Sequence, residues 1–148
     1  MTPSKPRFHR QETTYSCVPA CLRIAFSSFG VEIPEERLRE LCDCTPVFGT
    51  NALQAIEAAH RLGFTSTSKY TLSFDELRRL AEGSKYPIAF IDLRPITGIK
   101  QAHAVVVVSF SDEAIIVYDP EHGERSLSHQ SFAAAWALRH NLAILVEQ

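Results

Sequence analysis

The character of this sequence changes at Pro87, and that change limits the folds that the chain can adopt. Before Pro87, apolar residues recur at helical spacing in segments that are separated by glycine and proline. After it, the apolar residues stand in β-branched runs, and the runs at 103–109 and 113–119 flank a turn at 110–112, which indicates a β-hairpin. Helices first and strands second predict an α+β fold, in which N-terminal helices pack on a C-terminal antiparallel sheet.

The spacing of apolar residues and of capping residues gives the expected order of elements. Helices are predicted at 17–29, after Pro34, after Thr50 or Asn51, from the capping box Ser73-Phe-Asp-Glu76, and at 128–140. Strands are predicted at 88–92, 103–109, 113–119 and 142–146. We expect residues 1–10 to form a flexible N-terminal arm and residues 11–148 to form a single domain.

Composition narrows the functional class. With 148 residues, 45% hydrophobic and 22% charged, the chain is an ordinary globular domain that is long enough to bury a core. The net charge of −2 gives no reason to expect nucleic acid as a partner. No apolar run approaches the roughly 18 residues of a membrane helix, and the first ten residues lack the apolar region of a secretory signal. The sequence therefore predicts a cytoplasmic protein that does not span a membrane.

The segment from Gln11 to Cys21 is a polar loop that leads into the first predicted helix. Ser16 is expected to be the N-cap, because its hydroxyl can accept a hydrogen bond from an unpaired backbone N–H. Pro19 suits the first turn, where its missing N–H loses no hydrogen bond. Cys17 is thus expected where the helix dipole and the backbone N–H groups favour an anion, which lowers the pKa of a thiol. We interpret Cys17 as a nucleophile.

The other cysteines call for a simpler interpretation. The spacing of Cys17, Cys21, Cys42 and Cys44 does not match the usual pattern of a structural zinc site. Disulfides are disfavoured in a cytosolic setting. Cys21, Cys42 and Cys44 are interpreted chiefly as small buried apolar residues, with a redox pair or a zinc site as alternatives. No cofactor is predicted.

A nucleophilic cysteine needs a base and a group that orients the base. His103 begins one strand of the hairpin, Asp119 ends the other, and each lies eight residues from Ser111. If the loop has an odd length and is centred on Ser111, the two residues stand directly opposite, with Cβ atoms about 4.5–5.5 Å apart. A slip of one residue would place them on opposite faces. Because residues 105–108 are apolar on both faces, the register stays open.

Each candidate taken alone has a structural explanation. A histidine at a strand end is usually packed or solvated, an aspartate before a proline commonly forms a turn, and Gln11 would be an ordinary loop residue. The four candidates, Cys17, His103, Asp119 and Gln11, gain weight together because each one fills a different role in a single site.

At these positions the chain resembles the bacteriocin-processing cysteine peptidases. These are papain-like domains that cut leader peptides after a double glycine, usually as the N-terminal part of an ABC transporter. The resemblance covers roughly residues 8–146. It is carried by Gln11 six residues before Cys17, Gly49-Thr50 leading into a helix that ends at Leu62-Gly63-Phe64, the run Gln-Ala-His103-Ala-Val-Val, and Asp119-Pro120 followed by Gly123.

The resemblance implies a papain-like fold and a role for each candidate. Cys17 would be the nucleophile, His103 the general base and Asp119 the residue that orients the imidazole. Gln11 and the backbone N–H of Cys17 would form the oxyanion hole. The implied function is cleavage of a peptide bond in a peptide or protein substrate, with a leader peptide as one candidate and a transporter or secretion protein as a partner.

Two departures from the family pattern leave alternatives open. The family commonly has Asp-Cys-Gly at the nucleophile, whereas this chain has Ser16-Cys17-Val18. The chain also lacks membrane and ATPase domains, so we expect a stand-alone relative with its own substrate. The alternatives are an acyl transferase that uses the same site, a catalytically silent papain-like module that binds peptides, and a zinc-dependent structural module.

Overall fold

The structure, a computed structural model, describes residues 3–148, so the first two residues of the predicted arm lie outside the described residues. Its helices are α1 (Cys17–Ser27), α2 (Glu35–Leu41), α3 (Ala52–Arg61), α4 (Phe74–Glu82), α5 (Arg94–Thr97) and α6 (His129–Ala137). Its strands are β1 (Ser68–Thr71), β2 (Ile88–Asp92), β3 (Ala102–Phe110), β4 (Ala114–Asp119), β5 (Gly123–Ser128) and β6 (Leu142–Leu145). None of these helices combines the length and the apolar character that crossing a bilayer requires. The predicted α+β class is confirmed.

One antiparallel sheet of six strands, in the order β1-β6-β2-β3-β4-β5, separates two hydrophobic cores. Helices α1, α2 and α3 cover one face, and α4 and α6 cover the other. Along β2, Ile88 and Phe90 belong to the first core, whereas Ala89 and Ile91 belong to the second. Burial on both faces explains why this strand is apolar without alternation.

Helix α1 begins at Cys17 as predicted, but Ser16 does not cap it. The Ser16 hydroxyl makes no hydrogen bond to the first turn of the helix. It instead accepts hydrogen bonds from the Thr13 hydroxyl at 2.7 Å and from the Thr13 N–H at 3.2 Å. The predicted cap hydrogen bond is therefore wrong, because the loop before the helix already uses this hydroxyl. The helix ends at Ser27, and a further turn leads to Gly30, whose φ of +74° is readily adopted by glycine.

The differences from the predicted elements lie mainly at the edges of the sheet. Strands β1 and β5 are the two edge strands, and both carry mostly polar side chains that are exposed or half-buried. Polar residues suit an edge that faces water, but they remove the apolar run from which a strand is recognised. The sequence also gave no indication of α5, a single short turn of helix within a predicted loop.

The N-terminal residues follow the surface of the domain. The Ser4 N–H donates to the Ser28 carbonyl at 2.8 Å, and the Arg7 N–H donates to the Ser27 hydroxyl at 2.9 Å. The Phe8 ring packs edge-on against Tyr118, with 5.8 Å between the ring centroids. These contacts place residues 4–8 along the end of α1 and the first core.

Replacing Ser73 with alanine should lower the free energy of unfolding by about 1 kcal/mol. The Ser73 hydroxyl accepts the Glu76 N–H at 3.1 Å, and the Glu76 carboxylate accepts the Ser73 N–H at 2.9 Å, so a complete capping box begins α4. Denaturant unfolding measures the change. An unaltered free energy of unfolding would show that this box does not stabilise the helix.

Candidate active site

A cleft of about 590 Å³ lies where the beginning of α1 meets the beginning of β3. Gln11, Cys17 and His103 line this cleft. Asp119, with 1% of its surface exposed, lies behind the His103 ring. The structure therefore brings all four residues singled out in the sequence into one place.

His103 connects a sulfur to a carboxylate. Its Nε2 atom lies 2.7 Å from Oδ1 of Asp119, and both side chains are buried. Cys17 is close enough to His103 for its side chain to raise the pKa of the imidazole. Because Asp119 occupies Nε2, the ring nitrogen Nδ1 is left to face Cys17. A cysteine, an imidazole and a carboxylate thus lie next to one another, and a hydrogen bond joins the last two.

The hairpin that positions His103 and Asp119 differs from the predicted one. Phe110 pairs with Ile115, and the Ser111 N–H donates to the Ala114 carbonyl at 2.8 Å, so the turn contains the two residues 112 and 113. The loop therefore has an even length and is not centred on Ser111, so the condition under which His103 and Asp119 would stand directly opposite is not met. If the register at this turn continued unchanged, His103 and Asp119 would lie on opposite faces of the hairpin.

A β-bulge restores the common face. The pairing of β3 with β4 shifts by one residue between Val107 and Ser109, so β3 contains one extra residue there. Beyond the bulge Val106 pairs with Tyr118, so the next position along the two strands sets Asp119 opposite Val105. Because side chains alternate along a strand, His103 lies on the same side as Val105. His103 and Asp119 therefore meet diagonally and not directly opposite.

The surroundings of His103 favour its protonated form. Burial lowers the pKa of His103, but the hydrogen bonds and the charges of Asp119 and Cys17 raise that pKa to about 10. The imidazole is consequently a cation at neutral pH. Since its pKa is raised from 6.5, this ionisation stabilises the folded state fully below pH 6.5, and the contribution is lost as the pH rises through about 10.

Asp119 stays ionised beside this cation. Burial raises the pKa of Asp119, but the hydrogen bond and the charge of His103 hold it below its usual value. The backbone N–H groups of Glu121 and His122 also donate to Oδ1, at 2.9 and 3.3 Å. Nη1 of Arg125 lies 3.6 Å from Oδ2. The carboxylate is thereby fixed in orientation and in charge.

Gln11 is held at two points. Its backbone N–H donates to the Pro120 carbonyl at 2.8 Å, which ties it to the turn after Asp119. Its side-chain Nε2 donates to the Thr13 carbonyl at 2.8 Å. Only the NH₂ end of an amide can face a carbonyl, and that end carries a second hydrogen which Thr13 does not use.

The other three cysteines differ from Cys17 in their surroundings. Cys21 and Cys42 are fully buried free thiols, which agrees with the interpretation as small apolar residues. Cys44 is only half-buried, with its sulfur 3.8 Å from the Tyr15 carbonyl oxygen. Burial raises the pKa of all three thiols, to about 12 for Cys42. Within residues 3–148, no group of three or more histidine, cysteine, aspartate or glutamate side chains is placed to hold a metal ion.

One wall of the cleft exposes apolar side chains that sequence analysis did not identify. Val47, Phe48 and Leu53 line the cleft and are 82%, 88% and 59% exposed. Gly49 ends the loop that carries Val47 and Phe48, and its φ of +59° favours glycine. A Cβ atom added at Gly49 would lie 3.4 Å from the Tyr15 carbonyl oxygen. Apolar residues are normally expected inside a domain, so the sequence contained no signal for this surface.

Solved structures share this fold. A double glycine motif protease from an AMS/PCAT transporter, crystallised in complex with the leader peptide, matches with a TM-score of 0.77 and 18% identity over 99% of this chain and 94% of that chain. The peptidase domain of Streptococcus ComA, a bi-functional ABC transporter involved in a quorum sensing pathway, matches with a TM-score of 0.79 and 27% identity over 95% and 97%. The peptidase domain of Streptococcus mutans ComA matches with a TM-score of 0.65 and 24% identity over 93% and 95%.

A family match found from the sequence agrees with these structural neighbours. No curated protein matches the chain. The Peptidase C39 family matches residues 5–148, nearly the whole sequence. Together with the papain-like fold of its structural neighbours, this match identifies the chain as a member of the Peptidase C39 family.

Proposed function

We propose that this chain is a cysteine peptidase in which Cys17 is the nucleophile and His103 carries the proton. Asp119 orients the imidazole, and Gln11 stabilises the oxyanion. The observation that carries the proposal is that Cys17 and His103 line the same open cleft, with His103 hydrogen-bonded to Asp119 and its pKa raised by both neighbours. Membership of the C39 family and the likeness to a protease bound to a leader peptide support a peptide as the substrate.

In the proposed first step, the Cys17 thiolate attacks the carbonyl carbon of the scissile bond. The raised pKa of His103 keeps a proton on the imidazole, where it is available for the leaving group, and the thiolate form of Cys17 is the nucleophile. The second N–H of the Gln11 side chain and the backbone N–H of Cys17 donate to the oxyanion. His103 then gives its proton to the leaving amine, the C–N bond breaks, and an acyl thioester remains on Cys17.

In the second step, water attacks the thioester. His103, now neutral, accepts a proton from the water, and the same two donors stabilise the second oxyanion. The C–S bond breaks, the product leaves as a carboxylic acid, and the Cys17 thiolate forms again beside the protonated imidazole. Asp119 keeps Nδ1 directed towards the sulfur throughout, because it binds the opposite nitrogen of the ring.

The exposed apolar wall supports a substrate with an apolar side chain near the scissile bond. Val47 and Phe48 would lose most of their contact with water when such a side chain binds. We propose a leader-type peptide that a transporter or secretion protein presents, since two of the structural neighbours come from transporters, one of them an ABC transporter. The four free thiols support action in the reducing cytoplasm.

A cleavage assay tests this function. Purified protein is incubated with synthetic peptides that contain a double glycine preceded by apolar residues, and the products are mapped by mass spectrometry. We expect one cut site, no cleavage by Cys17→Ala, and retained cleavage by the matched control Cys44→Ala. Cleavage by Cys17→Ala would refute the mechanism. Peptides that bind without being cut would identify the chain as a silent binding module.

Replacing Gln11 with alanine should lower kcat by about 10²–10³-fold, with little change in KM. Apart from its hydrogen bond to the Thr13 carbonyl, the amide is proposed to donate only to the oxyanion, so its loss should affect the transition state more than the bound substrate. Steady-state kinetics measure both constants, and circular dichroism controls for folding. An unaltered kcat would remove Gln11 from the oxyanion hole.

A further inference from the structure

Glu35 is a buried acid that the mechanism above does not use. It is the first residue of α2, and only 1% of it is exposed. Within the described chain, from residue 3 onward, no other glutamate is buried. A buried carboxylate costs free energy unless hydrogen bonds and an opposite charge compensate for the lost hydration, so its contacts should reveal its role.

The contacts of Glu35 converge on the loop between Gln11 and Cys17. Its Oε1 atom accepts the backbone N–H of Glu12 at 3.0 Å. The buried Ser16 hydroxyl lies close enough to the carboxylate to lower its pKa. Glu12 directly follows Gln11 and Ser16 directly precedes Cys17, so one carboxylate binds the first end of this loop and lies near the second.

Arg39 completes the attachment. Its Nε atom lies 3.0 Å from Oε2 of Glu35, one helical turn earlier, and its Nη2 atom donates to the Glu12 side chain at 3.1 Å. Glu12 also lies 3.6 Å from Nη1 of Arg23 on α1. The loop is therefore fastened to α2 through its backbone and through its side chains.

The two proposed oxyanion donors depend on the shape of this loop. One donor is the Gln11 side-chain amide, and the other is the backbone N–H of Cys17. Cys17 follows Glu12 by five residues in the sequence. The Gln11 backbone is fixed on its other side by the Pro120 carbonyl. Loss of the Glu35 carboxylate would release the Glu12 backbone N–H and remove the group against which Ser16 lies, so the separation of the two donors would be less firmly fixed.

We infer that Glu35 is a positioning residue for the oxyanion hole, an inference that rests on the proposed peptidase function. Glu35 acts through Glu12 and Ser16 and does not touch the reacting atoms. It fixes the separation between the Gln11 amide and the Cys17 N–H. Its removal should therefore impair reactions that form an oxyanion and spare reactions of Cys17 that form none.

Two substrates separate these reactions. Iodoacetamide alkylates the Cys17 thiolate by displacement at a saturated carbon, so no oxyanion forms. A peptide that the wild-type protein cleaves forms an oxyanion at the carbonyl. For Glu35→Gln we expect kcat for the peptide to fall by about 10- to 100-fold, the effect of misplacing catalytic groups by about 1 Å. KM and the rate of alkylation at Cys17 should stay unchanged.

Matched variants control for folding. Glu36→Gln alters the exposed neighbour on the same helix and should keep both rates. In Glu35→Leu with Arg39→Leu, the ion pair is replaced by apolar residues, a change that often preserves stability. We expect the same selective loss of cleavage in this double variant, with an unaltered thermal unfolding midpoint.

Three results would overturn the inference. A parallel fall in cleavage and alkylation would show a general structural role for Glu35. Unchanged cleavage in both Glu35 variants would show that the loop keeps its shape without the carboxylate. Wild-type protein that is alkylated at Cys17 but cleaves no peptide would refute the proposed function and this inference with it, a result that the wild-type control alone reveals.

Discussion

Replacing His103 with alanine is expected to slow peptide cleavage by at least about 10³-fold, near the upper range for loss of a general acid and base. The ring hydrogen-bonds to Asp119, and Cys17 lies close enough to raise the pKa of the ring. Without it, the thiolate loses its cation and the leaving amine loses its proton donor. Both chemical steps of the proposed reaction depend on this one side chain.

Steady-state kinetics on a cleavable peptide measure this loss, with His140→Asn as the matched control. His140 is exposed and has a φ of +59°, a conformation that asparagine tolerates better than alanine does. The control should cleave at the wild-type rate. If His103→Ala keeps wild-type kcat while it remains folded, the proton must move through another group and the proposed mechanism is wrong.

Replacing Asp119 with asparagine should lower kcat by about 10²–10⁴-fold and should also change the pH profile. In the proposed mechanism the active form has a protonated His103, so activity in the wild type should decline as the pH rises through the His103 pKa of about 10. Asparagine removes the negative charge that helps to raise this pKa, whereas burial, which lowers it, remains. The alkaline limb should therefore move to lower pH.

The values of kcat/KM measured from about pH 6 to 11 locate this limb, because they report the ionisations of the free enzyme. Asp112→Asn is the control, since Asp112 lies in the turn of the same hairpin with a fully exposed side chain. Its profile should match the wild type. An alkaline limb at the same pH in Asp119→Asn would show that Asp119 does not set the ionisation of His103.

The position of Cys17 could be predicted because local patterns determine it. The apolar stripe and the proline of α1 define where the helix begins, and the cysteine stands at that point. The hydrogen bonds around it could not be predicted. Ser16 is a residue type that commonly caps helices, yet its hydroxyl binds Thr13 and lies near Glu35, which is far from it in the sequence.

The contact between His103 and Asp119 depends on a β-bulge that no sequence pattern indicates. The run of four valines in β3 is buried on both faces, so no alternation of polar and apolar residues fixes its register. The bulge between Val107 and Ser109 decides which face His103 occupies. A one-residue shift inside a uniform apolar run becomes visible only when the pairing with β4 is known.

The environments of Phe48 and Glu35 could not be predicted, because residues of these types usually occur in other surroundings. Phe48 is an apolar residue that sequence reasoning would put in a core, yet it lies at the rim of the cleft and is 88% exposed. Glu35 is an acid in the first turn of a helix, an ordinary surface position, yet it is buried beneath the loop that carries Cys17. Only the fold reveals either environment.

The most direct test of this account is labelling of the native protein with iodoacetamide near neutral pH, with the modified cysteines mapped by mass spectrometry. Cys17 should react well before the half-buried Cys44, whose pKa is raised by burial, and Cys21 and Cys42 should react last. His103→Ala should greatly slow the reaction at Cys17 and leave Cys44 unaffected. Equal labelling of Cys17 and Cys44, or an unchanged rate at Cys17 in His103→Ala, would contradict a thiolate activated by that imidazole.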